Sequence, residues 1–269
     1  MAVNDSNTAS LFGSRVAEAP ILERMRDDAA LGKPADYGLY ADKGTNDSDP
    51  EMFVFIGLLN KLPTERLTAT RSYRASLPAG QWSRPDALCH TKAAREYYEI
   101  KPESASSIDG GQRKFPNIDR FISRFQLPYR RGNSYMQGGG TDEAPLLDSN
   151  AAFQAEMQAL QTMFGLRRVR LFIQWERPED GLIVYRAKVT VDTDDPAPPG
   201  FPLQEFAVLV VKLGIQVAVP GAFLGASATG ALTTVLGRIR EELAQLKRNL
   251  ETSMGHHQLL LKEAPRPAS

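Results

Sequence analysis

Hydrophobic and polar positions alternate well along RVRLFIQWE (168–176), PEDG (178–181) follows, and LIVYRAKVTV (182–191) returns, alternating from Tyr185 onward. That pattern predicts two strands joined by a tight turn. Elsewhere the period lengthens. Over QRKFPNIDRFISRFQL (112–127), Phe115, Ile118, Ile122 and Phe125 recur at helical spacing, while Arg113, Lys114, Arg120 and Arg124 spread over the remaining surface. A helix is expected there, following a loop at PESASSIDGG (102–111). Further helices are expected over about 150–164 and 237–254. Two more stand upstream. Asp49-Pro50-Glu51 has an N-cap and a first-turn proline ahead of MFVFIGLL (52–59), and 64–75 forms a second amphipathic segment.

A shorter hairpin is predicted from strands at 86–91 and 96–101 with a turn at 92–95. Residues 1–49, rich in Asp, Ser, Asn, Gly and Ala, read as a partly disordered arm, extended or loosely helical. Residues 128–150 read as turns around Gly138-Gly139-Gly140, DTDDPAPPGFP (192–202) as a linker, and 255–269 as a disordered tail. The expected organisation is an arm (1–49), a domain (50–191), a linker, and a hydrophobic and helical extension (203–254). From Leu213 to Leu236 no residue is charged, long enough to span a bilayer. Pro220-Gly221 interrupts that run, and FAVLVVKLGIQVAV is rich in β-branched residues. A buried strand followed by a small-residue helical turn is preferred over a membrane-inserting segment.

Composition narrows the chemistry. A chain of 269 residues, 42% hydrophobic and 24% charged, has the balance of a water-soluble globular protein with a sizeable core. Formal net charge is zero and the pI is about 6.9, so any nucleic-acid contact must be a local patch. Arg113, Lys114, Arg120, Arg124, Arg130 and Arg131, against Asp109 and Asp119, form either such a patch or an ordinary solvated helix face. The single cysteine, Cys89, leaves no internal disulfide and no cysteine zinc cage, and the three histidines have no Cys/His spacing. The opening residues MAVNDSNTASLFGSR carry no basic-then-apolar signal, so synthesis in a reducing cytosol is expected.

The candidate chemistry lies in PDALCHTKAAREYYEIK (85–101). With the turn at 92–95, Asp86 faces Lys101 and Leu88 faces Glu99. Glu99 and Lys101 then share a face while Ile100 points into the core. Asp86 joins that face, with Glu99 its diagonal neighbour at about 7–8 Å. A slip of one residue would turn Asp86 away. Two carboxylates so placed reach one cation between them, and Mg²⁺ is a cation that takes such hard oxygen ligands. It lowers the pKa of bound water and stabilises charge on a phosphodiester. A lysine beside it orients the attacking water or offsets the phosphorane's charge. The same residues also suit a plain surface hairpin, where Glu and Lys alternate and an Asp after Pro opens a turn. His90 faces away from the trio, His256 and His257 fall in the tail, and Cys89 reads as a packed thiol. Gly138–Gly140 lacks the strand–loop–helix frame and lysine of a phosphate loop.

Asp86, Glu99 and Lys101, with Pro85 ahead of the aspartate and Ile100 between the last two, resemble the PD-(D/E)XK nuclease superfamily. The resemblance implies an α/β (α+β), restriction-endonuclease-like fold, a central mixed sheet flanked by helices. It implies Mg²⁺ or Mn²⁺ held by Asp86, Glu99 and the Ile100 backbone carbonyl, with Glu51 or Glu65 as the upstream helical glutamate. Gln112 stands where several branches place a glutamine that helps position the metal site, although Pro116 replaces the tyrosine of related branches. The run YEIKP, the Gly-Gln helix start, LPYRRGNSY and DGLIVYR are similar to the toxin domains of bacterial polymorphic and secreted effectors, over roughly 50–191. The function so implied is a Mg²⁺-dependent DNase, made in the bacterial cytoplasm without a signal peptide and neutralised by an immunity protein. A specialised route such as type VI secretion, through a carrier or adaptor, would deliver it to a target cell's cytoplasm. The alternatives are a repair, restriction or mobile-element nuclease, a non-catalytic adaptor, and a membrane-active effector working through 206–236.

Overall fold

The computed structural model describes residues 1–5, 13–26, 37–39, 72–73, 75–78, 81, 83, 85–89, 95–193, 201–218 and 237–252. Its elements are β1 (Ala2–Asp5), α1 (Gly13–Arg26), β2 (Tyr37–Leu39), β3 (Ala87–Cys89), β4 (Arg95–Pro102), α2 (Ala105–Arg124), β5 (Tyr129–Arg131), β6 (Thr141–Pro145), α3 (Ala151–Phe164), β7 (Arg168–Glu179), β8 (Leu182–Asp192) and α4 (Leu203–Ala218). A further helix, α5, covers 237–252. The class is mixed α/β. Hydrogen-bonded strands follow the order β2-β3-β4-β8-β7-β6, with β1 on β8 and β5 on β4, and both parallel and antiparallel pairs occur.

The chain divides into two compact units that do not coincide with the expected 50–191 domain. One comprises Gly13–Ala144 and Gln174–Arg186, the other Met1–Phe12, Pro145–Ile173 and Ala187–Ser269. In the first unit β4 is the axis. Its residues 96–100 are all buried, as in a strand covered on both faces. β3 runs antiparallel along one edge, pairing Ala87 with Tyr98 and Leu88 with Tyr97. The other edge changes partner partway. β5 pairs in parallel with Arg95–Tyr97, and β8 takes over from Glu99 to Pro102. The changeover is bridged by Gly132 N to Tyr97 O (3.0 Å), Gly181 N to Gly132 O (2.7 Å) and Glu99 N to Gly181 O (2.7 Å). Gly132 lies against the buried Tyr98 ring, where a Cβ would come within 1.9 Å of Cζ.

α2 covers the face of β4 that carries Tyr97. Phe115, Ile118 and Phe121 pack with Leu88, Tyr97, Leu182 and Val184. Each such side chain stabilises the fold by roughly 1.5–3 kcal/mol through burial alone. Tyr73 caps the far end of this core, edge-on to Phe125 at 5.6 Å and under the Arg124 guanidinium at 4.7 Å. The helix begins at Ala105, inside the stretch expected to be a loop. Ser104 is the reason: its hydroxyl accepts from Ser107 N at 3.3 Å, capping the first turn. Gly110 and Gly111, which suggested a break, are carried within the helix, and Gly111 lets α2 sit close on Lys101 and Leu182.

In the second unit β1 pairs antiparallel with β8, from Ala2–Thr190 to Asp5–Ala187. Phe164, Phe201 and Phe206 form an aromatic cluster with centroids 5.2–6.2 Å apart. Residues 203–218 are helical, against the expected strand. Phe206, Ala207, Leu209, Val210, Val211, Leu213, Gly214 and Ile215 are buried on a wide face, and only the narrow stripe of Glu205, Lys212 and Gln216 is polar and less buried, so the helical period is faint in the sequence. Among the described residues no helix is long and apolar enough to cross a membrane. The rest of the uncharged run, 219–236, lies outside them, as do the tail, most of the linker, the expected helix at 49–59 and residues 64–71 of the one expected at 64–75, of which 72, 73 and 75 are described and helical. Within the N-terminal stretch the described residues form β1, α1 and β2, and α1 buries Ala17, Ile21, Leu22 and Met25.

Candidate active site

The β3–β4 register, carried one residue further, sets Asp86 opposite Glu99, and Asp86 N donates to Tyr98 O at 2.9 Å. The expected pairing of Asp86 with Lys101 is therefore displaced by two residues. A shift of two preserves the alternation, so Asp86, Glu99 and Lys101 still share one face and Ile100 is buried on the other.

Three oxygens surround the Lys101 ammonium. Asp86 Oδ2 accepts a short hydrogen bond from Nζ, Glu99 Oε2 lies at 2.8 Å and the Ile100 carbonyl at 3.1 Å. Asp86 Oδ2 also accepts from Ile100 N at 2.9 Å. A second ammonium comes from α2, with Lys114 Nζ 2.8 Å from Glu99 Oε2 and 3.5 Å from Asp86 Oδ1. Glu99 is completely buried. Its Oε2 makes both ion pairs without hydrogen-bond alignment, and Oε1 has no hydrogen-bond partner among the described residues. Glu18, buried on α1, belongs to the same electrostatic group, since its carboxyl senses Asp86, Lys101, Glu99 and Lys114.

These neighbours push the carboxyls apart. Burial raises Asp86, but the Lys101 and Lys114 charges and the bonds from Lys101 and Ile100 outweigh it and hold the group below its usual range. Burial, then the charge of Asp86, push Glu99 up to about 8 despite both lysines. Glu18 is moved up to about 8 by burial and again by Asp86. For Lys101 burial works downward, and the two carboxylates reverse it, leaving the ammonium held above its ordinary value. At neutral pH the cluster thus keeps one firm carboxylate, Asp86, beside the Lys101 ammonium. Two further carboxyls, Glu99 and Glu18, hold their protons at that pH.

Other expected residues lie elsewhere. Gln112 is exposed and donates to Glu179 Oε1 at 2.8 Å, so its amide is not part of this cluster. Arg113, Arg120 and Arg124 are exposed on α2, with Arg113 Nε on the Asp109 carbonyl. Arg131 is clamped by Asp119 at 2.6 and 3.1 Å, and Arg130 reaches the buried Glu96 at 3.5 Å. Lys114 leaves the surface patch for the carboxylates. Glu51, Glu65 and His90 lie outside the described residues. Sequence reasoning missed Glu18 altogether. Its signal was a carboxylate within the apolar stripe Ala17, Ile21, Leu22, Met25. Lys114 carries the same signal, sharing the buried side of α2 with Gly111, Phe115 and Ile118.

Among the described residues no three His, Cys, Asp or Glu side chains converge as a metal cage. The atoms that do converge are two carboxylate oxygens and a carbonyl, around an ammonium that stands where a cation would. With the orphaned Glu99 Oε1, that donor set fits a hard divalent ion. No family model, curated protein or solved structure matches the chain.

Proposed function

We propose that this protein is a divalent-metal-dependent nuclease that hydrolyses DNA phosphodiester bonds at Asp86, Glu99 and Lys101, as the resemblance to PD-(D/E)XK nucleases implies. One observation carries the reading. Asp86 Oδ2, Glu99 Oε2 and the Ile100 carbonyl, expected as metal ligands, all surround one positive charge. Asp86, Glu99 and the Ile100 carbonyl would hold Mg²⁺ or Mn²⁺, with Glu18 the nearby third carboxyl. Such an ion supplies Lewis acidity and a more acidic bound water. The protein's own residues do the rest. Asp86, kept ionised by its lysines, would be the first ligand, and Glu99, which holds its proton at neutral pH, would have to give it up to serve as the second. The ammonium groups offset the negative charge that builds as a water oxygen bonds to phosphorus and one P–O ester bond breaks, giving a phosphomonoester and a hydroxyl. Exposed Arg113, Arg120 and Arg124 track the backbone without reading sequence.

The biological setting, an antibacterial effector with an immunity protein, rests on the resemblance alone. A non-catalytic reading is favoured by one feature, the near-complete pairing of the carboxylates with Lys101 and Lys114, which also suits a buried ion network. Plasmid cleavage in Mg²⁺ or Mn²⁺ separates the two. Activity lost in EDTA and in folded Asp86→Ala is expected; cleavage that survives both rejects the nuclease site. Expression in a bacterium lacking the partner should arrest growth with loss of DNA, whereas growth arrest with intact DNA and rapid depolarisation would overturn the effector-DNase reading.

A further inference from the structure

Lys101 Nζ sits on Asp86 Oδ2, on Glu99 Oε2 at 2.8 Å and on the Ile100 carbonyl at 3.1 Å, the three oxygens that would ligate the ion. Magnesium binds oxygen at about 2.0–2.1 Å and calcium at about 2.3–2.6 Å. An ion held by all three oxygens would therefore lie within roughly an ångström of that nitrogen. Two atoms cannot share such a space, so ion and ammonium exclude one another. Charge acts in the same direction. Lys114 Nζ is 2.8 Å from Glu99 Oε2, and a dication added beside both lysines would crowd like charges around two carboxyls. The departure of one ammonium relieves that repulsion. Lys101 is the one that must go, because its nitrogen stands on the ligand oxygens themselves. The pocket is not sealed against this, since the Lys101 side chain is 16% exposed. Its stem runs past Gly111 of α2, where a Cβ would come 3.1 Å from Cγ and 3.6 Å from Cε. Glycine inside a helix is unfavourable against alanine. Here it keeps a methyl group off a stem that has to turn.

We propose that Lys101 is a built-in occupant of the cation site: its ammonium fills the site in the metal-free protein, leaves when the ion enters, and is thereby released toward the substrate phosphate. This rests on the nuclease reading above and adds a regulation to it. The metal-free chain lacks both the ion and a usable ammonium, and one event supplies the two together. Until then the lysine spares Asp86 the cost of a buried, unpaired charge. The exchange also lowers the apparent affinity for the ion, by the fraction of time that Lys101 spends in the site.

The test reads amine reactivity in the full chain without DNA. The protein is acetylated with an N-hydroxysuccinimide ester at rising Mn²⁺ and constant ionic strength. Mass spectrometry gives the rate at Lys101 against that at Lys247 on α5, and electron paramagnetic resonance gives the Mn²⁺ bound. Lys101 should be nearly unreactive in EDTA. In saturating Mn²⁺ it should react on the order of tenfold faster or more, as the outward state of a two-position side chain goes from about a tenth or less of the population to most of it. Lys247 should not change. Asp86→Asn, or Glu99→Gln if melting shows the first to be unfolded, should lose the Mn²⁺ response. Bound Mn²⁺ with Lys101 still protected overturns the exchange alone. An equal rise at Lys247, or a response that survives in the folded variant, overturns it as well. A chain that binds no Mn²⁺ and shows no response takes the metal-dependent nuclease reading down, and this proposal with it.

Discussion

Replacing Glu99 by glutamine keeps the shape of the side chain and removes a group that titrates in the folded protein alone near neutrality. The carboxyl is wholly buried and moved from 4.5 to about 8. An unfolded chain gives up that proton near 4.5, whereas the folded chain keeps it until about 8. Across the interval the native state binds more protons, so stability falls as pH rises, by about 1.4 kcal/mol per pH unit for one such group. Glu99 therefore withdraws on the order of 4 kcal/mol between the two limits. Glu18, raised to about 8, acts in the same direction. Because the two carboxyls repel one another, their joint effect is not a simple sum. Asp86, lowered from 3.8, contributes the opposite sign but only in acid below this window.

The assay is urea unfolding in EDTA from pH 5 to pH 8, followed by fluorescence of the buried Trp175. The wild type should lose stability steadily with rising pH. Glu99→Gln should lose distinctly less, the remainder belonging to Glu18. Adding Mn²⁺ at pH 8 should restore the wild type and do little for the mutant, which has lost the Glu99 carboxylate that would hold the ion. Equal slopes in the two proteins would refute the placement of a neutral Glu99 in this site.

Three further outcomes are expected. Gly132→Ala should destabilise by about 1–3 kcal/mol or prevent folding, because the new methyl collides with Tyr98, whose hydroxyl is tied to Glu96 at 2.8 Å; a wild-type melting temperature would contradict the packing. Phe121→Ala should cost about 3–5 kcal/mol in urea unfolding, as its ring fills the core between α2 and Tyr73; a loss below about 1 kcal/mol would place it at the surface. Reversing Arg113, Arg120 and Arg124 to glutamate should weaken duplex binding and flatten its salt dependence without moving the melting temperature, and an unchanged slope would leave them as solvated charges.

Much of this was legible in the chain and some was hidden for identifiable reasons. The β7–β8 hairpin and α3 were plain because alternation and apolar spacing persist there over ten or more residues. The composition of the carboxylate face was legible although its register was not. Side chains repeat every two residues, so a pairing error of two changes Asp86's neighbour from Lys101 to Glu99 without changing its face. The start of α2 was obscured by Ser and Gly residues that serve as a cap and a close contact, although both types also mark loops. α4 was mistaken for a strand because its buried face is wide and rich in β-branched residues, leaving only a narrow polar stripe at Glu205, Lys212 and Gln216 to carry the helical period. Glu18 was invisible for another reason. Some seventy residues separate it from Asp86, and nothing local says which helix will supply a third carboxyl.

The partner change along β4 has a bearing on how this protein can be altered. Glu99 is held by its backbone to Gly181, and Gly181 to Gly132, so the depth of one carboxylate is set by the tip of the β7–β8 hairpin and the end of β5. A peptide tag or fluorescent reporter spliced between Asp180 and Gly181 would cut that chain of bonds and leave Glu99 unanchored. The same insertion at Gly138–Gly140, where nothing lies within 4 Å, would meet no such dependence. Two glycine-bearing turns, alike on paper, thus differ in permissiveness: one is a place to attach things, and the other is a hidden support of the carboxylate cluster.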